Sequence, residues 1–137
     1  MNSNGILRKH WFHVASHFVI DVGLFFLPFV CAAFLRFGDE ANDSLWIHWP
    51  YLALGALTLS ATTYITGLYS THSAAEGVFK RAVVLGACVL FAMLMVVGAT
   101  YGSFARPLGR GIMLIGGMTA YAMCLIHHVL LLHALRN

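Results

Sequence analysis

Charge is what this chain of 137 residues has least of. Asp, Glu, Lys and Arg make up 9% of it, where a soluble domain carries about 25% because its surface needs them. An ordinary water-facing domain is therefore excluded. With 60% hydrophobic residues and a mean hydropathy of +0.80, a membrane protein is expected. The length suits one domain, residues 1–137. The eight Lys and Arg residues stand singly or in pairs, so no basic face is offered to nucleic acid.

Cysteine is scarce as well. Cys31, Cys88 and Cys124 fall in three different apolar segments, with no CxxC spacing. That excludes a disulfide framework and a cysteine-based zinc site, and buried free thiols are expected. Also missing are an HExxH motif, a Ser-His-Asp or Cys-His arrangement, and a pair of carboxylates suited to sugar chemistry. No catalytic residue is assigned, and no enzymatic activity is expected. The start of the chain imitates a signal peptide, with Arg8-Lys9 before an apolar run and Cys31-Ala32-Ala33 near its end. The run is too long, however, and continues through Phe34-Leu35, so an uncleaved first span is the better reading.

What is there is four apolar segments. A helix needs about 20 such residues to cross the hydrocarbon core. The segments run roughly from Val14 to Arg36, Pro50 to Tyr69, Arg81 to Tyr101 and Gly111 to Leu135. Turn-forming stretches separate them: GDEANDS at 38–44, STHSAAEG at 70–77 and GSFARPLGR at 102–110. Short links force antiparallel neighbours, so the expected fold is all-α, four transmembrane helices in an up-down-up-down bundle. Pro50 is expected in the first turn of the second helix, and Pro28 is expected to kink the first. Trp46, Trp49 and Tyr51 read as an interfacial belt. Arg8, Lys9, Lys80, Arg81 and Arg136 fall on one side, Arg36, Arg106 and Arg110 on the other. The excess on the first side places both termini in the cytoplasm. Arg8, Lys9, Lys80 and Arg81 are then candidates for lipid headgroup contact, although topology signalling alone accounts for them.

One residue disagrees with its surroundings. Asp21 lies inside the first span, where a carboxylate costs about 3 kcal/mol at the helix centre. It must face the bundle and find a partner. His10, His13, His17 and Asp21 share one helix face by their spacing. His127 and His128, in the fourth span, return to the same depth. An interhelical contact of Asp21 with His127 or His128 is expected, with His17 beside it. Two other readings stay open. His13 and His17, four residues apart, with Asp21 as a third ligand, suit a transition metal. His13, His17, His127 and His128 together suit a haem- or metal-binding membrane redox protein. Proton handling is a further use of the same groups, and a small transporter is a third class of function.

The apolar helix that contains Asp21 ends in Ala33-x-Leu35-Arg36-Phe37-Gly38. Gly67-Leu68-Tyr69 closes the second segment, Lys80-Arg81 opens the third, and Phe104-Ala105-Arg106-Pro107 precedes the fourth. In order and spacing this pattern resembles the N-terminal four-helix membrane region of bacterial polysaccharide-biosynthesis proteins. These are the polyprenyl-phosphate sugar-1-phosphate transferases and the membrane-bound nucleotide-sugar dehydratases and epimerases. The chain departs from the pattern after Tyr69, where Ser70-Thr71-His72 replaces the usual Arg, and no catalytic domain lies within these residues. The resemblance implies a non-catalytic inner-membrane module without a cofactor. It would anchor, scaffold or oligomerise capsule, O-antigen or exopolysaccharide enzymes near polyprenyl phosphate. The implied partners are membrane lipid, a sugar-phosphate transferase or nucleotide-sugar enzyme, and further copies of the chain.

Overall fold

A computed structural model describes the backbone of residues 3–69, 77–103 and 109–136, and the side chains of these except 3–14, 44, 131–132 and 134–136. The described residues form four α-helices: α1 Ser3–Phe37, α2 Ala41–Ile65, α3 Val78–Gly102 and α4 Arg110–Arg136. Each helix packs on two others. α1 touches α2 and α4, and α3 touches α2 and α4, so the four close into a ring. Neighbours run antiparallel. Tyr51 of α2 meets Ser103, just past the end of α3, at 2.7 Å, while Thr66, beyond the other end of α2, lies 4.0 Å from Cys88 of α3.

The inward stripes explain the ring. In α1, Asp21, Phe25 and Phe29 recur every fourth residue and are fully buried. In α4, Ile112, Gly116, Ala120, Cys124 and His128 do the same. Residues four apart share one helix face, so each stripe is the seam of its helix. The outer faces are equally apolar: Val19, Leu90, Leu114, Met118 and Ile126 are all more than half exposed. A bundle greasy inside and out has no hydrophobic drive between its helices once it sits in lipid. Close packing must replace it. Gly116 shows how: a β-carbon there would sit 2.7 Å from the ring of Phe29.

Three helical segments are long and apolar enough to cross a membrane: 15–43, 78–102 and 110–130. α2 is not among them by composition, because His48, Pro50, Ser60 and several threonines dilute it. Its length is sufficient, since 25 residues rise about 37 Å. The threonines also hide their polarity. Thr58, Thr62 and Thr66 each donate to the carbonyl four residues back, at 2.8 Å, which satisfies the hydroxyl within the helix.

Several boundaries differ from expectation. The first turn is only Gly38–Glu40, a short 3-10 segment, and Asp43 already lies in the first turn of α2, where a carboxylate suits the positive helix end. Gly38, at φ 55°, makes that abrupt reversal. Pro50 is consequently inside α2 and not in its first turn. Pro28 is buried within α1. Cys88 and Cys124 are buried free thiols, but Cys31 is exposed on the outer face, because it falls off the inward stripe.

Candidate functional site

α2 ends in a turn that decides what Asp21 meets. The backbone N–H of Gly67 donates to the Tyr64 carbonyl at 3.0 Å, and that of Leu68 to the Thr63 carbonyl at 3.1 Å. Gly67 has φ 72°. This is a Schellman ending, in which a left-handed glycine lets the chain turn back over the last helical carbonyls. Leu68 is driven into the core, 3% exposed, and the next side chain, Tyr69, folds back against the bundle.

The Tyr69 hydroxyl donates to Asp21 Oδ2. Thr63 Oγ1, which also reaches the Leu59 carbonyl, donates to the phenol oxygen at 2.9 Å. From α4, His128 Nε2 lies 3.4 Å from the same carboxylate oxygen. This is an ion pair when the imidazole is protonated. Both Asp21 and His128 are almost wholly buried, at 0% and 1% exposure. Asp21 Oδ1 and His128 Nδ1 have no hydrogen-bond partner among the described residues. The phenol is thus the best-placed donor to the acid.

Nearer the bundle end, His17 Nδ1 and His127 Nε2 approach to 3.3 Å. The rings form a continuous cluster. His17 lies over Tyr69 with centroids 6.0 Å apart, Tyr69 over His128 at 5.8 Å, and His127 edge-on to His128 at 5.5 Å. The structure therefore brings together Asp21, His17, His127 and His128. His128 is the one that touches the acid, and His127 pairs with His17. Tyr69 is the member that sequence reasoning did not connect to the acid. The one signal in the sequence was Gly67, since a glycine just past a helix marks a left-handed ending that turns the following residues back.

The other expected site residues are scattered. His13, Arg8, Lys9 and Arg106 have no described side chain, so a His13–His17–Asp21 metal site lies partly outside the described residues. Among the described residues no three His, Cys, Asp or Glu side chains are grouped to hold a metal ion. The haem alternative with His13, His17, His127 and His128 meets the same limit. Lys80 is exposed, as headgroup contact requires. Arg81 is not: it is 2% exposed, on the inward stripe of α3 with Leu85 and Val89. That placement corrects the expectation that Arg81 meets lipid headgroups. Arg36 and Phe37 lie at the opposite end of α1, the guanidinium 5.7 Å from the Phe37 ring centroid.

Compared with protein-family profiles, curated proteins and solved structures, the chain matches none.

Proposed function

We propose that this chain is a non-catalytic four-helix module of a bacterial inner membrane, which anchors or oligomerises surface-polysaccharide enzymes beside polyprenyl phosphate. In this reading all four helices cross the bilayer, α2 included, and both termini are cytoplasmic. Supporting it is one observation above the others. Asp21 in α1 and Gly67-Leu68-Tyr69 after α2 carry the resemblance, and they are the two parts of a single hydrogen bond. Residues that look like separate motifs in sequence have a joint physical reason to occur together. That reason is structural. The acid, the phenol and His128 tie α1, the turn after α2 and α4 together, and the arrangement serves assembly of a bundle better than chemistry on a sugar. The apolar outer faces suit lipid or partner helices.

The test is genetic. Deletion of the gene in its native host is expected to reduce surface polysaccharide, with restoration by the wild-type chain and poorer restoration by Asp21→Ala. Site-specific crosslinks from the outer face of α3 are expected to reach a sugar-phosphate transferase or nucleotide-sugar enzyme. Unchanged polysaccharide in the deletion strain would remove the proposed role.

A further inference from the structure

The bundle end opposite Asp21 carries a polar feature that the clasp does not use. Arg36, in the last turn of α1, is exposed, yet its guanidinium lies against the start of α4. A β-carbon on Gly109 would be 3.2 Å from its Cζ, and one on Gly111 would be 2.8 Å from its Nη1. The two glycines make the room it occupies. No acceptor accompanies this close fit. Among the described residues Arg36 has neither an ion pair nor a hydrogen bond. Asp39 and Glu40 follow in the short turn and Asp43 in the first turn of α2, but none of them is paired with it among the described residues. A guanidinium presents five donors in a fixed fork that matches a phosphate. Arg110, at the start of α4, is exposed as well, a second cation at this end of the bundle.

Next to the guanidinium, between α1 and α4, runs a slot of about 180 Å³ lined by Ala32, Leu35, Arg36, Gly111, Ile112 and Ile115. Ala32 and Ile112 form its buried floor, while Leu35 and Ile115 are exposed walls. Every lining residue but Arg36 is apolar. The slot opens on the greasy outer surface, and its cationic rim falls near the end of one candidate span and the start of another. That is headgroup depth.

We infer that this slot binds an anionic phospholipid, with a hydrocarbon chain along the apolar walls and the phosphate against Arg36. The charge complementarity selects the ligand. A zwitterionic lipid brings its own ammonium to compete for the phosphate, and a free phosphate leaves the apolar slot unused. The inference rests on the chain being embedded in a bilayer and not on any role in polysaccharide assembly.

The test uses the full chain in nanodiscs of mixed phosphatidylglycerol and phosphatidylcholine, with retained lipid counted by native mass spectrometry. Wild type is expected to retain phosphatidylglycerol about tenfold over phosphatidylcholine, the ratio that one charge-assisted contact supplies. Arg36→Gln is expected to bring the ratio close to one. Ile115→Trp, which fills the slot and leaves the charge, is expected to lower total retention. Far-UV circular dichroism of each variant separates a lost site from a lost fold. Equal retention of both lipids by wild type would overturn the inference, as would unchanged retention in both folded variants. Displacement of the lipid by millimolar inorganic phosphate would overturn it too, since the ligand would then be the bare anion. A chain that fails to enter the nanodisc would sink the membrane reading itself, which is a distinguishable result.

Discussion

Removing one oxygen atom, by Tyr69→Phe, separates the acid from its best donor. Two ranges bracket the effect. Hydrogen bonds to charged groups in proteins contribute about 1.5–3 kcal/mol. Side-chain hydrogen bonds between helices in a bilayer average about 0.6 kcal/mol, with a maximum near 1.7. The site decides where this bond falls. Asp21 is wholly buried, its Oδ1 has no described partner, and His128 Nε2 stands 3.4 Å from Oδ2. Loss of the phenol leaves the carboxylate with a single long contact among the described residues, so the value belongs at the upper end of the bilayer range. A coupling energy of about 1.5 kcal/mol, a little over tenfold in the unfolding equilibrium, is expected. The measurement is a double-mutant cycle of Tyr69→Phe and Asp21→Ala, followed by loss of helical signal as bicelle-embedded protein is titrated with a denaturing detergent. The cycle cancels the cavity left by each truncation. A coupling below about 0.5 kcal/mol would refute the reasoning, because additivity of distant sites already scatters by that much.

Other outcomes follow from the same geometry. Gly67→Ala, at φ 72°, is expected to cost about 1–2 kcal/mol in that assay through left-handed strain, and a cost of only a few tenths would contradict the Schellman ending. Gly116→Ala places a methyl 2.7 Å from the fully buried Phe29 ring. An overpacking loss of about 1–3 kcal/mol is expected, and a neutral result would show that α1 and α4 are farther apart than described. Purified protein is expected to carry no stoichiometric transition metal, because no three donors converge among the described residues; elemental analysis checks this, and metal at one equivalent would contradict it. Reporter fusions to the two ends are expected to report the cytoplasm for both, and a split result would break the proposed four crossings.

The helical bundle was legible because charge is so sparse that apolar runs stand out, and because short polar links leave little choice of topology. The depth of Asp21 relative to His128 was legible too, since rise per residue is fixed. Boundaries were less so. Pro50 looked like a helix start, but Gly38 turns the chain so tightly that α2 begins at Ala41 and the proline is absorbed. Arg81 looked like a surface cation, since spacing along one helix does not say which stripe faces inward until all four helices are in place. Tyr69 was missed as the partner of Asp21 because the search ran between titratable groups across long helices. The donor came instead from a turn, where a glycine reverses the chain and no periodicity applies.

The clasp also imposes a timetable. Asp21 leaves the ribosome first of the three, its phenol donor follows 48 positions later, and His128 arrives only with α4. Until Tyr69 is made, α1 is an apolar rod bearing an acid without its donor, and insertion scales charge about 2.5–3.5 kcal/mol for such a group at mid-depth. α1 is thus made before the partners that secure it. Nascent chains arrested before Tyr69 would hold that rod loosely at the insertion machinery, and its commitment to the bilayer would come only as the remaining helices gather round it.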